Sequence, residues 1–341
     1  QADTGRDRVL AVREIHEEGA SEPVNDIVAI GLDGAVTVLV AGADFYAVPR
    51  LSPDGTQLAW LSWDHPDMPW DRCRLWLAEI DGNGVPRERV PVADGAREAA
   101  FQPEWSPDGV LHFVSDRTGW WNLYRWDGAA AHPLCPMDAE FGLPQWVFGM
   151  STYGFDAAGN IVAAYCEGGF WRLGRLAGGT LSPILTPYCG FGSLKVDGGR
   201  TVFIAGHPSQ PPALVAYDLE AGGEAVLRRS ANVAIDPDDV SRAEAVVFPT
   251  SGGREAHAFF YPPANREFRG PAGELPPLIV KSHGGPTAQT GAAFEMKIQF
   301  WTSRGFAVLD VNYGGSTGYG RAYRRSLDGG WGVVDVDDCE A

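Results

Sequence analysis

The run His-Gly-Gly-Pro-Thr at residues 283–287 is the part of the sequence best suited to chemistry. It follows the apolar segment 278–282 and precedes a helical pattern. Two consecutive glycines let the backbone turn so that an N–H points outward, unhindered by side chains. Such a donor can stabilise the oxyanion of an acyl-transfer intermediate, and the alternative is a tight turn without a chemical role. We interpret His283 as a residue that orients this loop rather than as a base.

A second candidate is the run Gly-Gly-Ser-Thr-Gly at 314–318, which matches the Gly-x-Ser-x-Gly pattern around a nucleophilic serine. The order of the catalytic residues in α/β-hydrolases is serine, then an acid, then histidine. No histidine follows His283 in the sequence. We therefore interpret Ser316 as a loop residue and not as a nucleophile.

Other polar residues carry weaker signals. Glu140 begins a segment, 140–146, that does not fit the repeats described below, and its carboxylate could hold the amino end of a peptide; the alternative is a solvated surface side chain. The acidic residues Asp335, Asp337 and Asp338 could suggest a metal site; the alternative, which we favour, is a helix N-terminus, where carboxylates complement the helix dipole. Histidines and cysteines lack the spacing of a metal site, so we expect no metal and no cofactor. Five scattered cysteines are typical of reduced thiols, and a cytoplasmic location is expected.

A repeated turn unit organises the first two thirds of the chain. The run Ser-Pro-Asp-Gly occurs at 52–55 and 106–109, each time before an apolar segment, and weaker copies lie at 155–159 and 196–199. Proline presets φ, aspartate bonds the local backbone and glycine supplies a positive φ, as a hairpin requires. A second turn follows each copy, at 81–82, 127–128, 178–179 and 222–223. Two turns per unit of roughly 40–54 residues predict a β-propeller of about five visible blades, the first incomplete; a β-sandwich is the alternative.

The pattern changes near residue 235. We predict a propeller over 1–235, a linker over 236–244 and an α/β domain over 245–341. The α/β part contains apolar strands, a helical pattern at 291–304 with Gly305 as its C-terminal cap, a strand at 306–313 and the start of a helix near Val334. Alternation of strands and helices indicates a parallel α/β sheet.

Composition limits the classes of partner. The 341 residues carry a net charge of -17, which disfavours binding to nucleic acid. Apolar runs are too short to cross a membrane, so a membrane protein is not expected. Hydrophobic residues make up 45%, as in a packed globular protein of about two domains.

The blade motifs, the segment 278–287, the strand 305–313 and the run Gly-Ser-Thr-Gly-Tyr-Gly at 315–320 resemble the prolyl oligopeptidase family of serine peptidases. The acylaminoacyl-peptidase and dipeptidyl-aminopeptidase-like branch is the most similar. The resemblance implies a propeller, commonly of seven blades, stacked on an α/β-hydrolase domain with a Ser-Asp-His triad at their interface. It implies that the backbone N–H of Gly285 is the oxyanion donor, with His283 and Gly284 in the substrate-binding loop. Members often have arginine at the position of Gly314, so a substrate contact made there is in doubt for this chain.

The same resemblance places the nucleophile after a fifth strand, whereas Ser316 follows the fourth. We therefore expect the sequence to end before the triad, residues 1–341 to be inactive alone, and the strand 306–313 to present an exposed edge. The expected activity is that of a serine exopeptidase or oligopeptidase acting on short or N-acylated peptides. Expected partners are a short peptide, the C-terminal remainder of the hydrolase domain and a second copy in a homo-oligomer. An esterase on the same fold and a non-catalytic propeller scaffold are the alternatives.

Overall fold

The computed structural model describes residues 1–233 and 235–341. Five four-stranded antiparallel sheets come first in the chain, each with its strands in sequential order. Their strands are β1–β4 (Ala2–Asp3, Arg8–Ile15, Val24–Gly31, Val36–Val40), β5–β8 (Phe45–Leu51, Gln57–Trp63, Arg74–Glu79, Val90–Ala93), β9–β12 (Ala100–Trp105, Leu111–Ser115, Asn122–Trp126, Ala131–Pro133), β13–β16 (Tyr153–Phe155, Ile161–Glu167, Phe170–Ala177, Thr180–Ile184) and β17–β20 (Gly190–Asp197, Arg200–Gly206, Ala213–Asp218, Glu224–Arg229). This up-and-down order within every sheet is that of propeller blades.

The repeated turns lie where the sequence placed them. The Ser-Pro-Asp-Gly runs connect the first and second strands of the second and third sheets, so they occupy equivalent turns. In the first of them the Gly55 N–H donates to the Ser52 carbonyl at 2.9 Å, and the Ser52 hydroxyl donates to Asp54 at 2.6 Å. Gly55 has a φ of +70°, a conformation that glycine adopts without strain. The prediction of about five four-stranded blades is confirmed. The prediction that the first blade is incomplete is wrong, because the first sheet has four strands, although β1 is only two residues long.

Apolar side chains fill the space between successive sheets. One core joins Leu61 and Leu75 of the second sheet to Phe113 and Tyr124 of the third. Another joins the fourth sheet to the fifth, where Phe203 is among the buried residues. Cores between neighbouring sheets explain the many buried aromatic residues of the chain.

A mixed sheet follows the fifth antiparallel sheet. Its strands are β21 (Glu244–Pro249), β22 (Glu255–Tyr261), β23 (Leu278–Ser282) and β24 (Ala307–Asn312), in the order β21-β22-β24-β23. Strands β23 and β24 are parallel, and helix α1 (Met296–Thr302) connects them. Helices α2 (Gly320–Arg324) and α3 (Val334–Glu340) come after β24. None of the helices among the described residues is long and apolar enough to cross a membrane.

The chain forms two compact units. The first contains the first three sheets, and the second contains the fourth and fifth sheets with the mixed sheet. The change from antiparallel to mixed sheet falls between Arg229 and Glu244, in the region where the sequence placed a linker at 236–244. The predicted domain boundaries themselves stay a prediction.

Three predictions for the α/β part are wrong in detail. The sheet is mixed and not parallel, because β21–β22 and β22–β24 pair antiparallel and only β23–β24 is parallel. The helix predicted over 291–304 begins only at Met296, because the Phe294 N–H donates to the carbonyl of His207 and Glu295 is extended. Strand β24 lies inside the sheet between β22 and β23, so it is not the exposed edge. The edge strands are β21 and β23, and Leu278 and Val280 are exposed along β23.

Candidate functional site

The loop at 283–286 begins one residue after β23 ends and turns sharply at Gly285. Gly285 has a φ of +63°, which a residue with a Cβ adopts only with strain. Within residues 1–233 and 235–341, the Gly285 N–H has no hydrogen-bond partner. A loop N–H without an internal acceptor can serve as a donor to a bound oxyanion.

His283 lies at the start of this loop and is held on two sides. Its Nε2 is 2.8 Å from the Oγ of Ser316, and its ring stacks on Tyr313 with the ring centroids 4.5 Å apart. Burial lowers the pKa of His283 below its usual value, so the ring is neutral near pH 7. These contacts fix the ring, and the role of His283 in orienting the loop stays a prediction.

Ser316 is fully buried, and its hydroxyl donates to the carbonyl of Tyr313 at 2.7 Å. A carbonyl oxygen can only accept, so the single hydroxyl proton points at Tyr313. The Nε2–H of His283 must then donate to Ser316. This direction is opposite to that of a base that withdraws a proton from a nucleophile.

A cavity of about 380 Å³ adjoins the loop. The loop side of this cavity contains His283, Gly285 and Tyr313, and the opposite side contains Asp335 and Cys339 of α3. Burial raises the pKa of the Cys339 thiol, so the cysteine stays protonated at neutral pH. The α3 side of the cavity also contains Glu340, so two carboxylates and the backbone N–H of Gly285 border the same space.

Asp338 anchors the loop that follows β24. Its side chain is fully buried and accepts from the Gly314 N–H at 2.7 Å, from Thr250 at 2.8 Å and from Arg254 at 2.9 Å. A Cβ added at Gly314 would lie 2.6 Å from the Ser326 hydroxyl and 3.3 Å from the Arg254 guanidinium, so this chain has no room for a larger residue there. The sequence suggested a helix-dipole role or a metal site for Asp338 and did not indicate these contacts, because the partners are distant in the chain. The described residues contain no cluster of His, Cys, Asp or Glu that could hold a metal ion.

Lys281 lies near the end of β23, two residues before His283, and forms two ion pairs. It donates to Glu295 at 2.8 Å and to Asp310 at 2.7 Å. Burial by itself would lower the pKa of Lys281, but the two carboxylates raise it above its usual value, so the residue stays charged. The Asp310 carboxylate also accepts from Thr290 at 2.6 Å. This ion-pair network joins β23, which precedes the loop, to β24, which Tyr313 follows directly.

Glu140 is buried and contacts the start of α2. Its Oε1 accepts from the Gly320 N–H at 3.1 Å and lies 3.9 Å from the Arg324 guanidinium. Its backbone exchanges two hydrogen bonds with Cys166, at 2.8 and 2.9 Å. The structure therefore brings His283, Gly284 and Gly285 together and uses the Glu140 carboxylate in internal contacts. A substrate-binding role for Glu140 stays a prediction.

Comparison with known proteins supports the family inferred from the motifs. The model of the prolyl oligopeptidase family matches residues 292–341. The human acylamino-acid-releasing enzyme is 31% identical over 307 residues, which cover 86% of this chain and 36% of the human enzyme. A crystal structure of puromycin hydrolase matches 99% of this chain with a TM-score of 0.92 and 40% identity. A puromycin-hydrolyzing peptidase of Mycobacterium tuberculosis matches 98% with the same TM-score and 38% identity.

The match covers only part of each relative. This chain spans about half the length of the two solved structures, 53% of each. The agreement extends over the five antiparallel sheets, the mixed sheet and the loop at 283–286, because nearly the whole chain is aligned. The chain is therefore a member of the prolyl oligopeptidase family, similar to acylamino-acid-releasing enzymes and puromycin hydrolases.

Proposed function

We propose that the complete protein is a serine peptidase that hydrolyses short or N-acylated peptides through an acyl-enzyme. The Gly285 N–H binds the oxyanion, and the nucleophilic serine, the acid and the base come from residues outside 1–341. The observation that carries this proposal is the Gly285 N–H, which has no partner among the described residues and borders a cavity. Preorganised donors of this kind stabilise charge that develops in the transition state.

Family membership supports the reaction class. The names of the similar proteins describe the release of acylated amino acids and the hydrolysis of puromycin. An amide carbonyl attacked by a serine passes through a tetrahedral oxyanion, which is the charge that a loop N–H can accept. Acyl-enzyme chemistry also serves esters, so the leaving group is a separate question for experiment.

The free edge of β23 supports a partner for the mixed sheet. Strand β23 pairs with β24 on one side only, and Leu278 and Val280 are exposed along it. An apolar edge strand is a template for further pairing. We propose that strands from the remainder of a hydrolase domain pair here and bring the triad to Gly285.

Exposed apolar residues on the terminal blades support a larger propeller. Val36 and Val38 of the first sheet and Ile204 and Leu214 of the fifth are exposed, whereas residues 161–166 of β14, the fourth-sheet counterpart of β18, are buried. Aliphatic side chains on a blade face are normally covered by the next blade. We propose that additional blades, seven in all, restrict access so that only short peptides enter.

The experiment is hydrolysis of matched amide and ester substrates by the complete protein. An N-acetylated dipeptide, a free dipeptide and the corresponding ester are compared by kcat/KM. Faster cleavage of the amides, together with covalent labelling by a fluorophosphonate, supports the peptidase. Cleavage of the ester alone favours an esterase, and an unlabelled, inactive protein favours a scaffold. Residues 1–341 by themselves serve as the control and are expected to be inactive.

A further inference from the structure

The loop that carries the oxyanion donor has little stiffness of its own. Gly284 and Gly285 are adjacent, and glycine accesses more of φ/ψ space than any other residue. Oxyanion stabilisation requires a donor whose direction is fixed before the reaction. Contacts from outside the loop must therefore hold it in place.

The hydroxyl of Tyr313 makes these contacts. Its Oη lies 3.1 Å from the carbonyl oxygen of His283 and 3.0 Å from the carbonyl oxygen of Gly285. Both oxygens can only accept, and the Nδ1 of His283 is a third, more distant neighbour of the same hydroxyl at 3.4 Å, so the phenolic proton is shared chiefly between the two carbonyls. One side chain thus holds two carbonyl groups of the same loop.

The two carbonyls flank the peptide group between Gly284 and Gly285. Because a peptide group is planar, fixing the His283 oxygen fixes the His283–Gly284 plane, and fixing the Gly285 oxygen fixes the Gly285–Pro286 plane. The peptide between Gly284 and Gly285 carries the unpartnered N–H and connects these two planes. Its orientation is therefore set by restraints on both sides.

Tyr313 is itself rigidly placed. Its side chain is buried, and its ring stacks on His283. Its backbone carbonyl accepts from the Ser316 N–H at 2.9 Å and from the Ser316 hydroxyl at 2.7 Å. Strands β23 and β24 are parallel neighbours, so Tyr313 and His283, which each follow one of these strands, meet at the same edge of the sheet.

We propose that Tyr313 is a positioning residue that holds the Gly285 N–H in the direction of the oxyanion. This inference rests on the proposed peptidase activity and adds a residue to it. Tyr313 acts through the loop, because its proton is engaged by the two loop carbonyls. Loss of the hydroxyl frees both flanking peptides, and the donor then spends less time in the productive direction.

The test is Tyr313→Phe in the complete protein, which keeps the ring and its stacking but removes the hydroxyl. We expect kcat to fall roughly 10- to 100-fold, because small misplacements of catalytic groups have effects of this size. KM should change less than about threefold, since the oxyanion exists only in the transition state and the intermediate. Affinity for a peptidyl trifluoromethyl ketone, which forms an oxyanion on binding, should weaken by the same factor as kcat.

Tyr323→Phe is the matched control. Tyr323 also donates its hydroxyl to a backbone carbonyl, that of Asn312 at 2.6 Å. Both variants lose one phenolic hydrogen bond to the backbone, so a merely structural effect would appear in both melting temperatures and in neither kcat. If Tyr313→Phe does not fold, Tyr313→His is compared with Tyr313→Leu, because only histidine keeps a ring donor.

The outcomes separate the two hypotheses. Unchanged kcat and ketone affinity in Tyr313→Phe, or equal kcat for the histidine and leucine variants, would overturn the positioning role. A rise in KM with unchanged kcat would also overturn it and make the loop a binding element. A wild-type protein without hydrolysis or fluorophosphonate labelling would instead refute the proposed function.

Discussion

The Nε2 of His283 lies 2.8 Å from the Oγ of Ser316, although 33 residues separate them in the chain. A serine and a histidine at this distance are the usual sign of an activated nucleophile. Here the serine is fully buried, and its hydroxyl donates a hydrogen bond to the carbonyl of Tyr313. The pair therefore connects the loop after β23 to the loop after β24, and we interpret it as a support for the oxyanion loop.

The first prediction tests this interpretation with Ser316→Ala in the complete protein. Removal of a nucleophile typically lowers kcat by about 10⁶-fold, whereas loss of a supporting hydrogen bond has a far smaller effect. We expect kcat to fall by less than roughly 10-fold and fluorophosphonate labelling to persist. Ser303→Ala is the matched control, since its hydroxyl donates to the carbonyl of Phe300 and accepts from the Arg304 guanidinium, with no bond to the loop at 283–286 among the described residues. Loss of labelling in Ser316→Ala alone would identify Ser316 as the nucleophile.

The second prediction concerns Gly285→Ala. Because Gly285 has a φ of +63°, a Cβ strains the loop and turns the N–H away from its direction. We expect kcat for a peptide substrate to fall roughly 10²–10³-fold with little change in KM, the size of one lost oxyanion donor.

Gly252→Ala controls for backbone strain in the same assay. Gly252 has a φ of +68° and open space at its Cβ position, so the alanine carries a similar strain but removes no donor. Its kcat should stay within about twofold of the wild type. Equal loss of activity in both variants would contradict the donor role of Gly285.

Local chemistry made the blades predictable. Each Ser-Pro-Asp-Gly run combines residues that favour the same turn, so the turn between β5 and β6 could be located without tertiary information. The strand–loop–helix pattern located the loop at 283–286 after β23 for the same reason, while the donor role of Gly285 stays a prediction. The accurate predictions were therefore those of turns and loops, which depend on residues close together in the chain.

Contacts between distant segments were not predictable. The hydrogen bond from Phe294 to His207 delays the start of α1, and nothing near Phe294 in the sequence indicates it. Glu140 bonds to the N–H of Gly320, which lies 180 positions further along the chain. The hydroxyl of Tyr313 reaches a loop 28 positions earlier. A short helix such as α2, five residues long, also leaves too little periodicity to recognise.

The third prediction concerns Asp338, which joins α3 to the loop at Gly314. Both of its oxygens accept: one from Thr250, the other from the Gly314 N–H, with Arg254 contacting both. In Asp338→Asn the amide NH₂ faces one of these donors, and the charge opposite Arg254 is lost. We expect a loss of about 2–3 kcal/mol in the free energy of unfolding, measured by urea titration.

Asp337→Asn is the control for this variant. Asp337 precedes Asp338 on the same helix but is only partly buried and accepts from the Ser251 hydroxyl. Its replacement should change the free energy of unfolding by no more than about 0.5 kcal/mol. Similar losses for the two variants would mean that helix charge, and not the buried network, sets the stability.

The last prediction concerns His257 on β22, whose ring stacks on Tyr319 with centroids 4.0 Å apart and meets Tyr323 at 5.0 Å. Burial lowers the pKa of His257, and the nearby charge of Glu255 opposes this only in part. The unfolded chain therefore binds a proton more readily than the folded one as the pH falls through about 6.5, the ordinary value for histidine. Proton uptake by the unfolded state means that this contribution to stability is present above pH 6.5 and is lost below it. His257→Phe keeps a stacked ring but cannot titrate, so the drop in the free energy of unfolding between pH 7.5 and pH 5.5 should be smaller than in the wild type. Parallel pH profiles for the two proteins would show that His257 does not contribute to the acid sensitivity of the fold.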